Sequence, residues 1–262
     1  MDKLLKGVCR LSVVPVRRDP EDQSEIVTQL LFGDHYSIME THENEKWLKI
    51  NIYIDNYMGW IDNKQHTPIS NEYFDEINKK NLKITVDKVS EARCSGKTLL
   101  LVAGSILPIS DNELFKGSEI FNYFGKSKSL GDKRGIDFLK QTALSYLDTP
   151  YLWGGKTPFG IDCSGFTQMV FKLCGYPIFR DASEQFNQGI VIKNLADALP
   201  GDLAFFKNQQ DQIAHVGIII DTEKIIHAYG QVRIDNLDEK GIFRKDFNKH
   251  THILTGIRRI LR

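Results

Sequence analysis

Cys163 is the side chain best placed by the sequence to act as a nucleophile. It follows Asp162, a good helix N-cap type, and opens a run in which Phe166, Met169, Val170 and Leu173 recur at helical spacing. A thiol in the first turn of a helix faces backbone N–H groups without acceptors and the positive end of the helix dipole, which favours the thiolate. The same N–H groups could stabilise an oxyanion. A cysteine that merely packs is the competing reading. For Cys174, three turns further on, packing is the expected role.

A cysteine nucleophile needs a base that takes its proton and returns it to the leaving amine, and a group that fixes the base. Of the seven histidines, those at 35, 42 and 66 fall in or beside an N-terminal β-rich segment, and those at 250 and 252 in a polar segment near the end. His215 and His227 differ, because each interrupts an apolar, strand-like run. Alternation places His215, Gly217 and Ile219 on one face of the first run, and Ile225, His227 and Tyr229 on one face of the next. For both histidines to share a face of an antiparallel hairpin, paired residue numbers must sum to an even value. That demands an odd loop, for example residues 220–224, or a bulge. Gly217 then opposes His227, and His215 lies diagonal to it at roughly 7–8 Å between Cα atoms. Two isolated strand histidines remain the alternative.

The elements that would carry these residues can be read in outline. Ile136, Leu139, Ala143, Leu144 and Leu147 recur at helical spacing and stop before Pro150, and the helix after Asp162 meets Gly175 and Pro177 as its stop signals. β-Rich runs follow over 202–206, 214–220, 224–229 and 253–260. Helices first and an antiparallel sheet afterwards make an α+β domain. Before it, β-rich runs at 8–14, 36–40, 47–53 and 58–62, with Ser24 to Leu31 in a longer connection, predict a small all-β barrel. A polar stretch follows as a linker or short helix. Further runs at 82–89, 98–101 and 105–109 predict a second small barrel. The expected organisation is a barrel over 1–67, a linker over 68–81, a second barrel over 82–128 and a catalytic domain over 129–262.

Composition narrows the partners. The 262 residues carry 34 Lys and Arg against 34 Asp and Glu, a formal net charge of zero, which argues against non-specific nucleic-acid binding. The longest apolar stretches, such as 213–220, fall far short of the roughly 20 residues that span a bilayer. The N-terminus is charged and broken, with no apolar export segment. The four cysteines, at 9, 94, 163 and 174, are too few for a disulfide scaffold. Residues 163 and 174 on one helix would be about 16 Å apart, too far to bridge. Neither C-x-x-C nor H-E-x-x-H occurs, so no metal and no cofactor is expected. These features predict a soluble, reduced, cytoplasmic protein that binds neither membrane nor nucleic acid. They leave its oligomeric state open.

Five motifs in order carry a resemblance: Tyr151-Leu152-Trp153-Gly154-Gly155, Asp162-Cys163-Ser164-Gly165-Phe166, Leu199-Pro200-Gly201-Asp202, His215-Val216-Gly217-Ile218 and Ile226-His227-Ala228. The segment from about 130 to 262 resembles the NlpC/P60 cysteine peptidases, and the N-terminal barrels resemble bacterial SH3-type modules. The resemblance implies a papain-like α+β catalytic domain preceded by small SH3-like barrels. It implies a catalytic set of Cys163 as nucleophile, His215 as base and His227 as the residue that orients His215, with the Cys163 backbone and Tyr151 holding the oxyanion. The substrate class it implies is the peptide stem of bacterial cell walls. Ser24-Glu25 and Tyr57-Met58-Gly59-Trp60 look like the positions that read a free N-terminal amine in the subset of the family that cuts after L-Ala-γ-D-Glu. The segment from Arg180 to Gln185 resembles the family's substrate groove. The substrate-binding residues so implied are Glu25, Tyr57, Tyr151, Trp153, Asp162, Ser164, Arg180, Asp181 and Ser183, with Arg180 or Ser183 meeting the α-carboxylate of γ-linked D-Glu. The implied reaction is hydrolysis of the γ-D-Glu–diamino acid bond in recycled murein peptides. The competing readings are an amidase or acyltransferase built on the same Cys-His pair, and a wall-binding adaptor with an inert core.

Overall fold

The computed structural model describes residues 6–79, 81–94, 96–107 and 121–261. The chain divides into two compact units, Met1–Asp132 and Lys133–Arg262.

The first unit begins with seven strands: β1 (Lys6–Val8), β2 (Val13–Arg17), β3 (Ile26–Leu31), β4 (His35–Thr41), β5 (Trp47–Ile52), β6 (Met58–Asp62) and β7 (Thr67–Pro68). They form an antiparallel sheet in the order β3-β2-β6-β5-β4-β1-β7. Alternation decides which side chains face in. Val14 and Val16 of β2 and Leu48, Ile50 and Ile52 of β5 are buried together with Cys9, Leu30, Tyr36 and Ile61. The expected strand over 8–14 is two strands, because Cys9 leaves the ladder to pair with the turn at Gly33 and Asp34. The expected long connection over 24–31 is mostly β3, whose Ile26-Val27-Thr28 run is β-branched throughout.

The polar stretch that follows is helical in part: α1 (Asn71–Lys79) buries Tyr73, Phe74 and Ile77. Beyond it, β9 (Val89–Cys94) lies between β10 (Lys97–Val102) and β11 (Phe121–Phe124), while β8 (Lys83–Thr85) pairs with β12 (Ser127–Ser129). The expected run over 105–109 is a single bridge from Ile106 to Ile84 as far as it can be followed, since residues 108 and 109 lie outside the described residues.

The second unit contains α2 (Ile136–Ser145), a hairpin of β13 (Lys156–Thr157) and β14 (Gly160–Ile161), α3 (Cys163–Leu173), α4 (Ala182–Gln185) and seven further strands. These are β15 (Ile190–Ile192), β16 (Leu203–Lys207), β17 (Ile213–Asp221), β18 (Lys224–Tyr229), β19 (Gln231–Asp238), β20 (Gly241–Arg244) and β21 (Lys249–Arg259). The order is β15-β21-β16-β17-β18-β19-β20, and β21 also pairs with β20, so β16 to β21 close into a barrel. Ala204, Phe206, Ile219, Ile225, Leu237, Ile242 and Ile257 form a core cluster within it. Strands β19 and β20 were not expected; their polar residues alternate with only a few apolar ones.

Helix α3 is buried at every position and lies against β17 and β18. Its end follows the expected stop signals: Gly175 takes a left-handed φ of 83°, Tyr176 N–H bonds the Phe171 carbonyl at 2.9 Å and Gly175 N–H bonds that of Lys172 at 3.1 Å. In the β17–β18 hairpin Ile218 faces Ile226 and Ile219 faces Ile225. The even sum required for both histidines to share a face is thus met, and it is met by a bulge between Ile219 and Asp221 with a tight turn, not by a five-residue loop.

Candidate active site

Cys163 is the first residue of α3 and is 6% exposed. Asp162 caps the helix, its carboxylate accepting the Gly165 N–H at 2.6 Å. Gly165 has no room for a side chain, since an added Cβ would sit 2.3 Å from the Gly155 carbonyl oxygen. That close approach brings the 151–155 segment to the start of the helix. The thiol is not ionised by its position. Burial, with the charge of Asp162 adding, pushes it up to about 12, against the Val216 backbone hydrogen bond, the Arg180 charge and the Ser164 backbone, which pull it down. The helix terminus expected to favour thiolate is outweighed by loss of solvent.

The Val216 contact places the sulfur beside the strand residue that follows His215. His215 Nε2 lies 2.8 Å from His227 Nδ1, and His227 Nε2 lies 3.0 Å from Asp235 Oδ2. Arg233 closes the series, donating from Nε to Asp235 Oδ2 at 2.7 Å and from Nη2 to Oδ1 at 2.9 Å. The four residues stand on three neighbouring strands, His215 on β17, His227 on β18 and Arg233 and Asp235 on β19. His227 faces Arg233 across β18 and β19, so Asp235 is its diagonal neighbour, as His215 is on the other side. Gly217 makes the crossing possible: a Cβ there would lie 2.8 Å from the His227 Cβ. Burial lowers His215 well below the usual histidine value, with His227 and His252 adding to the effect. His227 is lowered by burial despite Asp235. Both rings are therefore neutral near pH 7.

Asp162, Ser164 and Arg180 form a second buried cluster. Arg180 is 1% exposed and donates to Asp162 Oδ1 at 3.0 Å, to Asp162 Oδ2 at 2.5 Å and to Ser164 Oγ at 2.8 Å. Gly154 N–H also donates to Asp162 Oδ2, at 2.8 Å. Gln185, at the end of α4, donates to the Ser164 and Phe179 carbonyls at 3.0 and 2.8 Å and accepts from Thr167 at 2.7 Å. Tyr151 stands near Cys163 and Asp162; burial above all, and then those two charges, raise its hydroxyl well above the ordinary phenol value. Trp153 is 58% exposed.

Comparison with known proteins decides the class of this arrangement. Residues 148–251 match the NlpC/P60 family, and residues 16–65 match the bacterial dipeptidyl-peptidase Sh3 domain. The chain is 31% identical over 223 residues to a gamma-D-glutamyl-L-lysine dipeptidyl-peptidase of Bacillus subtilis, covering 78% of this chain and 72% of that protein. It belongs to the NlpC/P60 family. It is 29% identical over 266 residues to dipeptidyl-peptidase 6 of Lysinibacillus sphaericus, covering 87% of this chain and 90% of that protein. The fold agrees: an NlpC/P60 family protein from Bacillus cereus superposes with a TM-score of 0.77 at 22% identity over 98% of this chain and all of that one. An NlpC/P60 endopeptidase from Photobacterium damselae gives 0.72 at 16% identity, covering 97% of this chain and 70% of that one. As an NlpC/P60 protein the chain is a cysteine-type peptidase with an N-terminal SH3-like region.

The remaining expected residues of this NlpC/P60 enzyme are distributed as follows. Arg180, expected at a substrate carboxylate, is turned inward on Asp162, because a buried carboxylate needs a partner more than a solvated groove does. Asp181 caps α4, its N–H donating to Glu184 at 3.4 Å, and Ser183 is exposed on the same short helix. In the first unit Glu25 pairs with Arg18 at 2.8 Å, and Tyr57 packs against the barrel core. Ile26 and Trp60 both face Arg17, so β3 and β6 flank β2, and Glu25 and Tyr57 precede their strands at the same end of the sheet.

Sequence reasoning missed Asp235, Arg233 and His252. The His252 ring stacks on His215 with centroids 4.3 Å apart and planes at 28°, and burial brings its own value down to about 4. The Gly230 turn sets the β18–β19 register and would have placed Asp235 diagonal to His227. Among the described residues no group of three or more His, Cys, Asp and Glu is arranged to hold a metal ion. Among the same residues no helix is long and apolar enough to cross a membrane.

Proposed function

We propose that this enzyme hydrolyses the bond between γ-D-Glu and a diamino acid in cell-wall stem peptides that begin with a free L-Ala, releasing L-Ala-D-Glu. Two relatives bearing the name gamma-D-glutamyl-L-lysine dipeptidyl-peptidase support the bond class. The observation that carries the chemistry is the thiol against the backbone of Val216, the residue next in the chain to His215, whose Nε2 is already engaged by His227. Nδ1 of His215 is then the nitrogen left to accept the thiol proton.

Cys163 Sγ attacks the γ-carbonyl carbon as its proton passes to His215. The tetrahedral oxyanion meets the Cys163 backbone N–H, one of the helix's unbonded donors, and the Tyr151 hydroxyl, which keeps its proton at any physiological pH. His215 gives the proton to the departing amine, the C–N bond breaks, and a thioester remains. Water attacks the thioester while His215 takes its proton, and the acid and the free thiol are restored. Glu25 and Tyr57 read the α-ammonium of L-Ala, since a carboxylate and a phenol together hold such a cation. Ser183 is the exposed candidate for the D-Glu carboxylate. A free amine is what an already trimmed peptide presents, which supports a place in recycling wall fragments.

Incubation with L-Ala-γ-D-Glu-diaminopimelate and its N-acetylated form, followed by mass spectrometry, tests the reading. Cleavage of the free peptide alone is expected, with loss of all turnover in Cys163→Ala. Equal turnover of both peptides would refute the amine requirement, and no turnover of either would refute the bond class.

A further inference from the structure

Resting on the reading of His215 as the base, we propose that Asp235 is a positioning residue that fixes, through His227, which nitrogen of His215 carries the proton. An imidazole in its neutral form has one N–H and one lone pair, and a neighbour's hydrogen bond decides which is which. Asp235 has no such choice. Burial pushes its carboxyl up, but hydrogen bonds from His227 and Arg233 outweigh that and hold it at about 2. It is therefore an obligate acceptor, and His227 must donate to it from Nε2.

The rest follows by elimination. With its proton on Nε2, His227 presents a lone pair at Nδ1. His215 lies 2.8 Å from that atom and must donate from its own Nε2. The lone pair of His215 is then on Nδ1, away from His227. Each ring fixes the next, and the chain of choices ends at the thiol. The opposite tautomers would leave His227 Nε2 as a lone pair facing a carboxylate, two acceptors 3.0 Å apart in a site where Asp235 is 7% exposed and His227 is sealed. Arg233 does for Asp235 what Asp235 does for His227: its two donors occupy both carboxylate oxygens and set the rotation of the group.

The test combines nitrogen NMR of histidine-labelled protein with kinetics. In the wild type both His215 and His227 are expected to carry their protons on Nε2; a His215 protonated on Nδ1 would overturn the proposal without any substituted protein. In Asp235→Ala and Asp235→Asn, kcat is expected to fall in proportion to the fraction of His215 that has moved its proton to Nδ1. KM should stay near the wild-type value. A fall between about 10²- and 10⁴-fold is expected, the upper figure matching the loss when a serine-protease histidine is held in the wrong tautomer. A loss of kcat with unchanged tautomers would assign Asp235 a structural role only, and shifted tautomers with undiminished kcat would also defeat the proposal. The NMR result stands apart from the substrate reading. A protein inert on the tripeptide with tautomers as expected would fault the substrate; an active one with the wrong tautomers would fault Asp235.

Discussion

At the scale of single residues, the proposed nucleophile is held in its protonated form. Cys163 is pushed up and His215 pushed down, both mainly by burial, so the neutral pair is the resting state. The consequence for pH is definite in sign. In the proposed mechanism His215 acts as base only while neutral, and a histidine lowered below 6.5 stays neutral further into acid than a free one. We expect kcat/KM for the free tripeptide to hold its plateau through pH 6.5 and to fall only at lower pH. An acidic midpoint above 6.5 would contradict this. The thiol, at about 12, should produce no limb between pH 7 and 9. The sequence singled out Cys163, His215 and His227 because each type interrupts or opens a periodic segment. It concealed the thiol's protonation, since dipole arguments know nothing of how much water is excluded.

At the scale of elements, the start of α3 is fastened to the chain before α4 by the Asp162–Arg180 pair, with Gln185 adding a second tie. Removing one member of a buried pair strands the other's charge, so Arg180→Ala is expected to cost about 3–5 kcal/mol in urea unfolding. A loss below about 1 kcal/mol would mean that the Gly154, Gly165 and Ser164 contacts suffice for Asp162. Both α2 and α3 were legible from spacing and stop signals, and so was the even register of β17 and β18. Strands β19 and β20 were not, because Gln231 to Asp238 carries Arg233, Asp235 and Asn236 among its few apolar residues. Those same polar residues support the histidines. A segment that departs from apolar alternation to serve the site therefore hides from the pattern that finds strands. His252 was hidden likewise, within a strand whose partners change along its length.

At the scale of the whole molecule, an SH3-like region and an NlpC/P60 domain occur in one chain, and the substrate reading draws on both. Glu25→Ala is expected to raise KM for the free-amine tripeptide about tenfold, the worth of a hydrogen bond to a charge, with kcat much less affected. An unchanged KM would remove Glu25 from amine recognition. The expected boundary between 128 and 129 rests on a change from short strands to helices, whereas the internal layout of the second β-region is blurred in the sequence by its short, mixed strands. One architectural detail bears on how the protein behaves in a crowded solution. Because β21 seals both seams of its barrel, the only unpartnered rim among the described strands of that seven-stranded sheet is β15, three residues long. So short a rim is a poor template for fibrillar growth, even with Val191 60% exposed on it.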